Sequence, residues 1–175
     1  MIPKNELAKG SLPDLIALST LVENIPKGKK VQVSFLSSFA VYGKAKGKLT
    51  ESTPIEVLNP YAFMKYQCEN MLLYYSKTLN IDVSVFRLLM CYGPYANQST
   101  FIGKLISKYS SESSVTLYHQ GSQIRDFIYI DDVISAIFKS IALPKKVDGK
   151  IINIGYGKGY KLIFIINLIL KYIGK

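Results

Sequence analysis

The run NPYAFMKYQCENMLLYYSKTLNIDVSVFRLL, Asn59–Leu89, decides the fold class because it holds a helix and a strand back to back. Asn59 is a good N-cap and Pro60 suits the first helical position, where a missing N–H costs nothing. The spacing predicts a helix from there to about Asn80. IDVSVFRLL is then rich in β-branched residues and reads as a strand. CYGP, one residue beyond it, is a turn signal.

Outward from this unit the same alternation recurs. Leu12 to Ile25 returns apolar residues at three and four and reads as a helix. VQVSFL (Val31–Leu36) is a short apolar strand ending in Ser37 and Ser38, and a polar loop with Gly and Pro runs from Gly43 to Leu58. Past the turn, STFIGKLISKYSS reads as a helix, SVTLY as a strand, RDFIYI as a strand running into the helix DDVISAIFKSIAL, and KIINIG as a strand. GYGKG follows as a loop, and KLIFIINLILKYI is a last helix whose core, LIFIINLIL, is expected to be buried. Repeated strand–helix units with mostly apolar strands predict an α/β fold, a doubly wound parallel sheet with helices on both faces.

Composition bounds the function classes. A chain of 175 residues with 49% hydrophobic content is long enough for a proper core and too apolar for disorder. No apolar run approaches the roughly 18 residues of a membrane span, and the N-terminal MIPKNELAKG has no signal-peptide core. Cys68 and Cys91 lie far apart without metal or redox spacing, and a cytoplasmic location is expected. The net charge of +10 comes from lysines scattered along the chain, and is read as compositional bias rather than a nucleic-acid footprint. In so lysine-rich a chain Arg87 and Arg125, the only arginines, mark places where a planar, forked cation is needed. His119 is the only histidine, which excludes chemistry requiring two and argues against a histidine-based metal site.

Tyr61 and Lys65 lie four apart, on one face of the predicted helix. Spacing alone is weak evidence, because chance supplies about 1.5 such pairs in a chain of this composition. The other pair, Tyr42 and Lys46, falls in a loop and shares no helix face. A free phenol, with a pKa of about 10, is too weak a base at neutral pH. A lysine one turn away favours the phenolate and makes proton transfer from a hydroxyl feasible. Ser38, at the carboxyl end of a strand where ligands bind in parallel sheets, is placed to hold the same oxygen. The plain alternatives are a strand-ending serine that satisfies loop backbone, a packed tyrosine and a solvated lysine.

Motif order adds to the pair. VSFLSSFAVYG, then YAFMK, then FRLLMCYGP, then GSQIRDFIYIDDV, then IINIGYGKG resemble, in that sequence, the extended short-chain dehydrogenase/reductase family in its NAD-dependent epimerase/dehydratase branch. The resemblance covers about residues 31–175. It implies a Rossmann-like fold acting on a nucleotide-sugar substrate, with NAD or NADP as cofactor. Ser38, Tyr61 and Lys65 are then catalytic, and Tyr61 and Lys65 also meet the cofactor, Lys65 through its ribose hydroxyls. Arg125 resembles the residue that grips the substrate diphosphate, against the alternative of a structural salt bridge. Tyr118 and Ser99 are candidates for the base or ribose and the phosphates. Asp131 and Asp132 are read as a helix N-terminus rather than a metal site. A homodimer through the Tyr61 helix is a family expectation.

Departures from the pattern narrow the reaction. Phe39 and Ala40 stand where dehydratases place acids and decarboxylases a glutamate, so epimerase or ketoreductase chemistry is expected. Met90 replaces an asparagine that often holds substrate. The sequence opens on a helix rather than on the strand and Gly-rich turn that seat a pyrophosphate. The expected fold is therefore incomplete at the N-terminus. It comprises a partial NAD-binding part over residues 1–98, and residues 99–175 with substrate-binding elements and the remaining Rossmann strands. NAD binding by this chain alone is expected to be weak. The alternative is a non-catalytic remnant or binding module meeting nucleic acid or a partner protein through a basic surface.

Overall fold

A computed structural model describes residues 12–26, 28, 30–79, 81–98, 100–111, 118–172 and 174. They form two compact units, Met1–Leu88 with Ala136–Ile154, and Leu89–Ser135 with Gly155–Lys175. The sequence reading draws a single boundary near residue 98 instead.

The first unit is built on three parallel strands in the order β1-β2-β5: β1 (Val31–Ser38), β2 (Ile81–Leu88) and β5 (Lys150–Ile154). Val31 pairs with Ile81 and Ser38 with Leu88, so β1 and β2 end together. All of β2 but Leu88 is buried, as an apolar central strand requires. Val83 and Val85 pack with Leu18 of α1 (Leu12–Glu23) and with Cys68 and Leu72 of α2 (Pro60–Thr78). On the other face, Gln32 donates to the Ser140 carbonyl at the end of α4 (Ile130–Ala142), 3.0 Å away. Ser84 donates to the Val147 carbonyl of the one-turn α5 (Pro144–Val147), 3.2 Å away. The expected sheet with helices on both faces is thus present.

α2 begins where its cap chemistry dictates. Asn59 is extended, and its side-chain oxygen accepts from the Ala62 N–H at 2.8 Å, with Pro60 opening the helix. β1 runs into a single 3-10 turn, Phe39–Tyr42, and Gly43 follows at φ +62°. A Cβ there would lie 2.2 Å from the Glu56 carbonyl oxygen.

In the second unit, β4 (Ile124–Tyr129) pairs in parallel with β3 (Met90–Tyr92) and antiparallel with β6 (Gly159–Lys161). β6 overlaps the expected GYGKG loop at Gly159 and the expected last helix at Lys161, since three residues are too few for a readable alternation. Most of the SVTLY strand lies outside the described residues, and Tyr118 opens a 3-10 turn, Tyr118–Gly121. α3 (Phe101–Ser111) packs with α6 (Leu162–Tyr172) through Leu105 and Ile166. Contrary to the burial expected for LIFIINLIL, α6 is partly exposed: Phe164 and Leu168 are 52% and 42% exposed. Asp131 and Asp132 lie in the first turn of α4, at the positive end of its dipole.

Candidate active site

Ser38 is the last residue of β1 and caps the 3-10 turn, its Oγ accepting from the Ala40 N–H at 3.1 Å. Tyr61 sits in the first turn of α2 with its ring half exposed, and Lys65 follows one turn later. The Lys65 ammonium lies 5.9 Å from the Tyr61 ring centroid and 5.1 Å from that of Phe35 in β1. Its charge is paired with Asp14 of α1, Nζ to Oδ2 2.9 Å. Tyr61 and Lys65 therefore share a face of α2, and Lys65 on that face meets Phe35 of β1. α2 packs against β1 and against the turn that Ser38 caps.

Behind them is a buried ionic cluster that the motif reading does not contain. The Arg87 guanidinium grips Glu69 with both prongs, Nε to Oε1 3.1 Å and Nη2 to Oε2 2.7 Å. Its Nη1 donates to the Tyr42 hydroxyl at 2.8 Å, which in turn donates to Asn153 Oδ1 at 2.7 Å. Ser37 donates to Glu69 Oε1. Burial alone would lower the guanidinium pKa, but the hydrogen bonds it donates to Glu69 and Tyr42, with the Glu69 charge, more than offset it, and Arg87 stays above its ordinary value. Arginine scarcity in the sequence signals Arg87. Its partners carry no such mark.

The second unit holds the remaining candidates. Arg125 is exposed on β4, its Nη1 donating to the Ile124 carbonyl at 2.8 Å, and among the described residues it pairs with no carboxylate. Tyr118 is in the 3-10 turn, and Ser99 lies outside the described residues. Asp126, unmarked in the sequence, accepts from the Tyr156 and Gly157 backbone N–H groups at 3.2 and 2.8 Å and so holds the GYGKG loop. Tyr92, Phe127, Tyr129, Tyr160 and Phe164 line a cavity of about 540 Å³ whose only charged lining residue is Asp132. Among the described residues no three His, Cys, Asp or Glu side chains are grouped to hold a metal, and no helix is long and apolar enough to cross a membrane.

The model of the NAD dependent epimerase/dehydratase family matches residues 14–155. The chain is 30% identical over 141 residues to UDP-glucuronate 4-epimerase of Thermodesulfobacterium geofontis, covering 79% of this chain and 43% of that one. It is 28% identical over 153 residues to an uncharacterized UDP-glucose epimerase, YtcB, of Bacillus subtilis, covering 87% and 48%. Among solved structures it resembles the UDP-glucuronic acid 4-epimerase of Bacillus cereus in complex with UDP-glucuronic acid and NAD. There the TM-score is 0.82 and the identity 27%, over 93% of this chain and 52% of that one. It also resembles the dTDP-glucose 4,6-dehydratase of Bacillus anthracis in complex with NAD, with a TM-score of 0.79 and 29% identity over 91% and 51%. The chain spans about half the length of the relatives it matches.

Proposed function

Since the chain belongs to the NAD dependent epimerase/dehydratase family, we propose that it carries the acid/base half of a nucleotide-sugar epimerase or ketoreductase. The observation that supports this is the common face of Tyr61 and Lys65, with the ammonium beside the phenol ring on a helix that packs against the turn Ser38 caps. Tyr61 takes the proton from a sugar hydroxyl and returns it, Ser38 holds that oxygen, and the Lys65 ammonium stands beside the phenol. Phe39, packed on the Tyr42 ring at 5.2 Å, leaves no acid in the turn after Ser38, which favours carbinol redox chemistry over loss of water. Arg125, with its exposed guanidinium, is assigned to the substrate diphosphate.

The donor set fits the nicotinamide–ribose end of NAD. Lys65 would hold ribose hydroxyls once its ammonium turns from Asp14, an exchange made feasible by the partial exposure of that carboxylate. When bound, NAD supplies the hydride acceptor and donor. No strand–Gly-rich turn–helix segment for the pyrophosphate occurs in these 175 residues, so NAD binding by this chain alone is expected to be weak. Titration calorimetry that returned micromolar affinity would contradict this. At saturating NAD, Tyr61→Phe is expected to lower conversion of UDP- or dTDP-sugars by at least about 100-fold. Equal rates in the two proteins would sink the assignment.

A further inference from the structure

The reaction proposed above makes no use of the buried Ser37–Glu69–Arg87–Tyr42 cluster, although Glu69 and Arg87 are 0% and 2% exposed. We propose that Glu69, held by Arg87, is a positioning residue for Ser38, fixing the serine-bearing corner of β1 to the helix that carries Tyr61 and Lys65. The inference rests on the roles given to those three residues.

Three observations lead to it. First, Tyr61, Lys65 and Glu69 follow one another at intervals of four, so they form a single stripe along α2. Second, Ser38 is tied on both sides to one ion pair. Its predecessor Ser37 donates to Glu69, and Tyr42, at the far end of the turn, accepts from Arg87 and is braced by Asn153. Third, among the described residues the Ser38 hydroxyl has one hydrogen-bond partner, the Ala40 N–H, although its backbone pairs with Leu88 in the sheet. A guanidinium gripping a carboxylate needs no help from Ser37 or Tyr42 to neutralise its charge. The added bonds fall on either side of the one hydroxyl that must be placed within about half an ångström of its working position. Strand corner and helix are thereby coupled through atoms that water does not reach.

Changing Glu69 or Arg87 risks unfolding the chain, because either leaves a buried charge unpaired. Ser37→Ala is the discriminating variant: it cuts the link while Glu69 keeps both guanidinium prongs. Amide hydrogen exchange, followed residue by residue in the chain itself, reads the position of the corner without requiring turnover. We expect the Ala40 amide to exchange at least about tenfold faster in Ser37→Ala, with the β2 amides of Val83 and Val85 unchanged. Ser37→Thr, which keeps the hydroxyl, should restore slow exchange. An unchanged Ala40 amide, or equal acceleration throughout β2, overturns the proposal. Where the wild type turns over, Ser37→Ala should lower kcat with KM little altered, and a raised KM with unchanged kcat also overturns it. A wild type that does not turn over defeats the functional reading, yet leaves the exchange comparison to decide whether Glu69 positions the corner.

Discussion

Among the described residues Arg87 heads the fully buried side chains by size, and a guanidinium in that position is stable only because each of its three nitrogens meets an oxygen. Breaking such a pair from one side is expensive, so Glu69→Gln should lower the unfolding free energy by about 3–5 kcal/mol in urea titration. A loss under about 1 kcal/mol would mean that the pair is not buried in solution. Cys68, next to Glu69 in the chain, titrates against the same environment. Burial pushes its thiol above the ordinary value, with Asp14 and Glu69 adding to the rise and Lys65 opposing it. A raised folded pKa contributes stability that is present below 9.0 and lost as pH rises through the folded value. Stability should therefore fall more steeply above pH 9.0 in the wild type than in Cys68→Ala, as parallel denaturation curves would reveal. Arginine scarcity made Arg87 visible in the sequence. Glu69, Tyr42 and Asn153 were not, because contacts across 18 to 111 positions leave no local pattern.

At the level of elements, cap and period together placed α2 and β2 closely, since Asn59, Pro60 and the β-branched run each favour a single local geometry. Asn59→Ala should cost about 1 kcal/mol, as seen by a lowered Tm, because the Ala62 N–H loses its acceptor. Tyr61 lies in the same first turn, so the variant should also weaken any Tyr61-dependent turnover. The turn glycine is more constrained. Gly43 has a positive φ and no room for a Cβ, and Gly43→Ala should destabilise by at least about 2 kcal/mol. A Tm equal to wild type would show that the loop rearranges freely. β6 and α6 misled the sequence reading for opposite reasons. β6 is too short to carry a period, and α6 is apolar nearly all round while its own unit buries only Ile166 fully.

Over the whole molecule, hydropathy reveals that strands exist but not the order in which they pair. Nothing local in KIINIG says that it returns to β2, which is why the first unit reclaims Ala136–Ile154 after the chain has built most of the second. Motif order was more informative than periodicity, because it pointed to a family as well as a fold, and the family model matches residues 14–155. Charge is the remaining property of the whole chain. A net +10 guarantees some attraction to polyanions, and what matters is its form. Lysines dispersed along the sequence attract phosphates as separate point charges, without the paired forks or aromatic interleaving that read bases. Binding to duplex DNA should therefore be independent of sequence, fall steeply between about 50 and 200 mM salt, and be the same in Tyr61→Phe. Gel shifts across a salt series test this directly. A complex that survives high salt or prefers one sequence would favour a nucleic-acid-binding module over nucleotide-sugar chemistry.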